Sequence, residues 1–402
     1  MDRKNIDKAQ AFKNDVYEEL VSNILHFWVN EMKDPQGGYY GRIDGNNKLD
    51  PEAPKGAILN ARILYSFARM LKHLDSDPYV EAAMRAKDYI ERYFLDKEYG
   101  GVYWSVNHDG TPLDTKKQFY AIGFTIYGLS EYARTTGDET ARQLALELFE
   151  TIEKYSRDPE SGGYFEAATR DWKPIDDMRL SEKDDNACKT MNTHLHILEP
   201  YTNLLRIDPD NKKLREAIKD LINIFLDKIE NPKTHHLGLF FDKDWKRRDK
   251  EISYGHDIEA SWLLLEAAQV LGDEEILKKT MEHTRNIALA ALEGRCADGS
   301  MVYERHGNGH YDNDKHWWVQ AETVIGQLYL WKYHGMEDML DKAILTWNYI
   351  KDNLVDKNNG EWFWSRRGRE INHDDDKAGF WKCPYHNSRM CYEVMNLIDS
   401  TY

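Results

Sequence analysis

The 402-residue chain is short of several things, and each shortage closes off a class of protein. Its four cysteines (Cys188, Cys296, Cys383 and Cys391) are scattered and form no Cys-x-x-Cys pair, so reduced thiols in a cytoplasm are the expected state. The start, Met1-Asp-Arg-Lys-Asn-Ile-Asp7, lacks the apolar stretch of a secretory signal, which points to a cytoplasmic location. No run of about eighteen apolar residues is present to span a membrane. Basic residues are outnumbered, 54 Lys and Arg against 70 Asp and Glu, for a net charge of −16. A nucleic-acid partner needs a basic face and is not expected. Length alone would allow two or three domains, but no Gly/Ser-rich linker divides the chain, so one domain over 1–402 is expected.

What is present is aromatic and repetitive. The chain has 12 Trp and 24 Tyr, and sugar-binding clefts use such flat apolar faces with polar edges. A unit recurs at Asp34-Pro-Gln-Gly-Gly-Tyr-Tyr40, Asp96-Lys-Glu-Tyr-Gly-Gly-Val-Tyr-Trp104 and Asp158-Pro-Glu-Ser-Gly-Gly-Tyr-Phe165, with weaker copies at Gly238, Gly299 and Gly360. Turn signals followed by alternating aromatics predict six small hairpins. Between them, helical periodicity predicts twelve helices, at 8–33, 54–74, 77–96, 116–137, 138–157, 184–207, 209–230, 253–272, 273–292, 315–335, 336–354 and 382–400. Six tandem helix pairs predict an all-α (α/α)6 barrel with short β-hairpins between pairs. An open solenoid would show the same local pattern.

The helix after each hairpin, taken as the inner one, opens with chemistry-bearing residues. Tyr254-Gly-His-Asp-Ile-Glu-Ala-Ser-Trp262 places His256 and Glu259 one turn apart on one face. A carboxylate there can orient the ring and raise its basicity. Taken alone, such a pair is more often a surface salt link. The other openings carry Arg62, Tyr120, Asp184 with Asp185, Asn192 with His194 and His196, Trp317-Trp318, and Trp381 followed by His386 and Arg389. In a barrel of parallel inner helices they converge on one mouth. Asn192 and His196 share a face, which leaves His194 a structural role. One of Trp317 and Trp318 belongs to the core. A lone Arg62 in an apolar helix has a bland reading as the partner of a buried acid. A metal held by His196, His256, His386 and Glu259 is the main chemical alternative. It lacks His-Glu-x-x-His spacing, and its His-x-x-Glu order is opposite to that of di-iron carboxylate proteins.

The stretches Ala53-Pro-Lys-Gly-Ala-Ile-Leu-Asn-Ala-Arg-Ile-Leu64, Met191-Asn-Thr-His-Leu-His196, Gly255-His-Asp-Ile-Glu-Ala-Ser-Trp262, Trp317-Trp-Val-Gln-Ala-Glu322 and Pro384-Tyr-His-Asn-Ser-Arg389 resemble the cellobiose 2-epimerases of the N-acylglucosamine 2-epimerase superfamily. The resemblance spans nearly the whole chain. Cys383 stands where glycine is expected, and Tyr65 where tryptophan is common. The resemblance implies an (α/α)6 barrel and cofactor-free C2 epimerisation of the reducing-end glucose of β-1,4-linked disaccharides such as cellobiose or lactose. It casts His256 and His386 as the proton-transfer pair and His196 as the ring-opening helper. Arg62 would stabilise a cis-enediolate, and Glu259 would orient His256. Tyr120, Asp184 and Asn192 would hold hydroxyls, and Trp318 and Trp381 would stack on sugar rings. No metal is implied, and a monomer or weak dimer is expected. The rivals are an N-acylglucosamine or mannose 2-epimerase, or an aldose–ketose isomerase, of the same superfamily. A different class is an inverting (α/α)6 glycosidase using Glu259 with Asp184 or Asp185, which would leave three histidines unexplained.

Overall fold

The computed structural model describes residues 3–74 and 76–401. Met1 and Asp2 of the charged start, and Asp75 of the predicted breaker at 75–78, lie outside the described residues.

The helices are α1 (Arg3–Glu19), which passes through a π-helical turn at Leu20–Leu25 into α2 (His26–Asn30), then α3 (Ala57–Met70), α4 (Asp77–Tyr89), α5 (Phe119–Thr136), α6 (Glu139–Tyr155), α7 (Met191–Leu205), α8 (Lys212–Ile224), α9 (Tyr254–Leu271), α10 (Glu274–Ala291), α11 (Trp317–His334), α12 (Met339–Asn353) and α13 (Tyr385–Asp399). With α1 and α2 as one rod, the twelve predicted helices are there. Helices α3, α5, α7, α9, α11 and α13 each pack on the next, and α13 packs on α3, which closes the ring that the helix count left open. The inner helices are buried almost all round. Helix α3 has no exposed residue over its fourteen, whereas outer helix α8 buries one stripe (Leu214, Ala217, Ile218, Leu221, Ile222). An inner helix touches apolar neighbours on every side, so its sequence carries little amphipathic signal.

The inner helices begin later than predicted. The third begins at Met191 rather than 184, and the other five begin one to three residues late. The residues just ahead of α3, α5, α7, α9 and α11 are β-paired and so not free to wind into helix. Lys55–Gly56 pairs with Ser105–Val106, Lys117–Gln118 with Ala167–Ala168, and Lys189–Thr190 with Phe240–Phe241. Ile252–Ser253 pairs with Glu304–Arg305, and Lys315–His316 with Ser365 and Arg366. Each pairing ties the start of one inner helix to the hairpin that follows. A bridge between Ile43 and Ala378 ties the first hairpin to the last segment.

Under these pairings lies a repeated ion pair. Asp34 accepts from Lys55 at 2.5 Å, Asp96 from Lys117 at 2.8 Å and Asp158 from Lys189 at 2.6 Å, and Asp356 is paired with Lys377. The other oxygen of each Asp accepts backbone N–H groups of its own turn, from Gln36, Glu98, Glu160 and Asn358. One carboxylate therefore shapes the turn and anchors the lysine that leads into the inner helix. The fifth copy replaces the acid with Cys296, whose Sγ lies 3.3 Å from Lys315 Nζ. In the fourth, Asn231 stands in the acid's place and its side-chain oxygen accepts the Lys233 backbone N–H at 2.9 Å.

Candidate active site

The N-terminal turns of the inner helices meet at one end of the ring, and close backbone approach allows it. A Cβ on Gly123 of α5 would lie 2.5 Å from the carbonyl of His196, so glycine lets α5 and α7 touch beside that histidine. A Cβ on Gly255 would lie 2.6 Å from the Trp318 ring, so glycine lets that indole lie over the start of α9. Trp318 then touches two imidazoles, His256 at 4.8 Å and His386 at 5.5 Å between ring centroids. Trp317 is the core member of the pair, fully buried beneath Lys382.

A chain of contacts leads across the mouth. The His386 ring packs on Tyr385 at 4.5 Å, and Tyr385 with Phe124 sandwiches the Arg62 guanidinium, at 4.5 and 4.1 Å. Arg62 Nη2 donates to the Tyr120 hydroxyl at 2.9 Å, and Tyr120 sets its edge against His196 at 5.1 Å. Trp381 stands edge-on to Tyr120 and Trp104, at 6.1 and 6.0 Å. Arg62, Tyr120, His196, His256, His386, Trp318 and Trp381 therefore share one site. Asn192, half-buried on the first turn of α7, has a side-chain oxygen with no partner. Asp184 lies outside any helix, in the long loop before α7, where its carboxylate accepts from Ser181 N–H. The expected helical position of Asp184 is thus corrected: the pairing of Lys189–Thr190 with Phe240–Phe241 stops the helix at Met191. His194 is structural, as expected. Its Nε2 accepts the Tyr164 backbone N–H at 2.9 Å, so its Nδ1–H donates to the Thr190 carbonyl at 2.7 Å.

Beneath the imidazoles lies a charge cluster that was not foreseen. The guanidinium of Arg389 is fully buried among Glu199, Glu259 and Glu322, donating to Glu259 at 2.6 Å and Glu322 at 2.5 Å and also pairing with Glu199. Glu322 accepts from Nδ1 of His386 at 2.6 Å, and Glu199 from Nδ1 of His196 at 3.0 Å. Tyr385 donates to Glu199 at 2.5 Å. Glu259 does not hold His256, as had been expected. Its bonded oxygen takes Arg389, and the other has no hydrogen-bond partner, at 3.9 Å from His196 Nε2. His256 Nδ1 is paired instead with Ser253 Oγ at 2.8 Å. The signal for this cluster was in the chain: His196-x-x-Glu199, His256-x-x-Glu259 and His386-x-x-Arg389 repeat one spacing on three inner helices. The ligand-capable atoms of Glu259, Glu322 and His386 are close enough together to hold an ion, but Arg389 already serves both carboxylates as their cation.

Burial sets the protonation states. It lowers the His256 pKa to about 3, with His196 adding to the effect. Burial also lowers His386 well below its ordinary 6.5, helped by Arg389 and Arg62. For His196, burial outweighs the Glu199 hydrogen bond, and the pKa is again lowered. All three rings rest neutral at pH 7. Burial alone would raise Glu199, but Arg389 and His196 overcome it and hold the carboxyl at about 2. Burial and the neighbouring Glu322 push Glu259 well above the ordinary carboxyl range.

Residues 38–389 match the family model for N-acylglucosamine 2-epimerase. The chain belongs to the N-acylglucosamine 2-epimerase family. Among this family, the chain is 53% identical over 389 residues to a cellobiose 2-epimerase of Bacteroides fragilis, covering 96% of this chain and 99% of the relative. Solved structures of cellobiose 2-epimerases from Bacillus thermoamylovorans B4167 and Spirochaeta thermophila DSM 6192 both superpose with a TM-score of 0.92. Their identities are 36% and 37%, covering 96% and 99% of this chain and 99% and 98% of theirs. These family members share the (α/α)6 barrel. Among the described residues of this chain, no helix is long and apolar enough to cross a membrane.

Proposed function

We propose that the chain, as one catalytic domain, is a cellobiose 2-epimerase. It interconverts glucose and mannose at the reducing end of β-1,4-linked disaccharides. The observation that carries this reading is the pair of neutral imidazoles, His256 and His386, both packed against one indole.

Inverting C2 requires a proton to leave one face and another to return to the opposite face. The pyranose ring must open first. His196 assists there, its Nδ1–H given to Glu199 so that Nε2 carries the lone pair. The aldehyde makes the C2 hydrogen acidic, and a neutral imidazole removes it. Glu322 fixes His386 through Nδ1, which leaves Nε2 as the basic nitrogen. The resulting cis-enediolate places negative charge at O1 and O2 near Arg62, a preorganised cation in a site shielded from water. That charge favours the imidazolium form of the histidine on the other face, which takes a proton from solvent and delivers it to C2. Tyr120, Asn192 and Asp184 hold hydroxyls. Trp318 and Trp381 stack on the rings and discriminate little between epimers. No cofactor enters any step.

Proton NMR of the protein with cellobiose in D2O, with and without EDTA, tests this. A mannose-type reducing end carrying deuterium at C2, unaffected by chelator, is the expected result. Glucose release would mean a glycosidase, and a ketose would mean that reprotonation occurs at C1.

A further inference from the structure

The mouth of the barrel holds a positive charge that the protein does not neutralise. Arg62 is 3% exposed. Nη2 donates to the Tyr120 hydroxyl, Nη1 has only the Cys383 thiol at 3.7 Å, and Nε has no partner. No carboxylate lies within ion-pair distance of it among the described residues, so the bland reading as the partner of a buried acid does not hold. The other buried guanidiniums of the barrel interior are matched: Arg389 is bonded to Glu199, Glu259 and Glu322, and Arg69 has Glu131 and Glu393. A buried cation is costly unless paired, so an unpaired one facing a substrate site marks the place where an anion binds. The imidazoles supply no such anion. Glu259, the nearby acid with an unpartnered oxygen, is held toward its neutral form by burial and Glu322 and sets no opposing charge there.

During turnover the anion at Arg62 is the enediolate, which exists only transiently. Resting on the epimerase reading above, we infer that the same site binds disaccharide aldonic acids, whose reducing-end C1 is a carboxylate, more tightly than neutral open-chain disaccharides, and that such acids inhibit the enzyme competitively. Three features of an aldonate fit. It is open-chain, so the cost of ring opening is absent. Its planar charged group suits the fork of a guanidinium, and charge-assisted hydrogen bonds are roughly twice as strong as neutral ones. It places permanent negative charge where the reaction develops charge, and stable mimics of such states bind more tightly than substrate. Any reaction of the class that oxidises the reducing-end aldehyde to an acid would therefore produce a brake on this epimerase.

Isothermal titration of the intact protein with cellobionate, and with cellobiitol as the neutral open-chain control, tests the inference. Cellobionate should bind at least about tenfold tighter than cellobiitol, a difference of about 1.4 kcal/mol. The preference should fall to near unity in Arg62→Met and persist in part in Arg62→Lys, which keeps the charge. Cellobiitol binding as tightly as cellobionate in the unaltered protein would overturn the inference and leave the epimerase reading standing. Neither sugar binding would overturn both. A preference that survives intact in Arg62→Met would remove Arg62 as its cause.

Discussion

At the scale of single residues, the site works by keeping imidazoles neutral. His386 shows how: its ring is enclosed by Trp317, Trp318 and Tyr385, its Nδ1 is held by Glu322, and two guanidiniums add to the burial that disfavours its cation. Replacing it by asparagine removes the base and keeps a polar group of similar reach. His386→Asn should lower kcat for cellobiose epimerisation by about 10²–10⁴, the usual span for general acid–base catalysis, with cellobiitol affinity within about threefold of the parent. A parallel loss of affinity would make His386 a binding residue. The lowered pKa values also fix a pH dependence. An ordinary imidazole near 6.5 would be neutral in only about 3% of molecules at pH 5. With His256 at about 3 and His386 well below 6.5, the base stays available, so kcat/KM should hold level from pH 7 down to pH 5. An acid limb centred near pH 6.5 would mean that the rings are wetter than the structure shows. Most of these groups were legible in the chain, because they recur at the starts of six helices. The convergence of their acidic neighbours on Arg389 was not. Glu199 and Glu322 lie eight and five residues beyond the starts of their helices and act across the barrel on Arg389, a contact that helix periodicity does not encode.

At the scale of elements, the buried Asp–Lys pair is the unit that places four of the six inner helices. Its spacing is legible after the fact, since Asp34 and Lys55, Asp96 and Lys117, and Asp356 and Lys377 each lie 21 residues apart. It went unread because an isolated aspartate and lysine so far apart look like ordinary surface charge. The strand pairing of Lys55, Lys117 and Lys189 explains the late starts of α3, α5 and α7. Helix count, helix pairing and hairpin positions were legible, since turn residues and periodicity are local signals. Lys189 and Asp158 are buried on both sides, and removing one partner of such a pair strands the other. Lys189→Met should therefore destabilise the protein by about 3–5 kcal/mol in denaturant unfolding. Cys296→Ala, at the rung where a thiol replaces the acid, should cost at most about 1–2 kcal/mol, since no full buried ion pair is broken. Equal effects at both rungs would show that the carboxylate adds nothing beyond packing.

At the scale of the whole molecule, buried titrating groups of opposite habit shape stability against pH. His194 and His316 are lowered by burial to about 4 and His256 to about 3. From pH 6.5 down to about 4 the unfolded chain therefore binds protons that the folded chain refuses, and stability falls as pH falls. Glu166 is raised by burial to about 8, and Glu19 and Glu304 to about 7, against an ordinary 4.5. Those three keep protons in the folded state that the unfolded chain releases, so their contribution is lost as pH rises from 4.5 to 7–8. Between pH 4.5 and 6.5 these histidines, with His73 also lowered by burial to about 4, oppose the three glutamates, and the curve should be shallow. Above 6.5 the glutamates still act, joined by His236, whose Asp257 and Glu293 partners outweigh burial and raise its pKa, and stability should decline gently toward pH 8. Below 4.5, Glu131 and Glu199 join the histidines. In both, the charged partners overcome burial and hold the carboxyl at about 2, so the stability they contribute is lost between 4.5 and 2, and the fall becomes steep. Apparent melting midpoints at one scan rate, taken from pH 3 to pH 9, should trace a plateau with a shallow alkaline and a steep acid shoulder. A midpoint that climbs steadily from pH 4.5 to pH 8 would instead mean that Glu166, Glu19 and Glu304 are ionised within the fold.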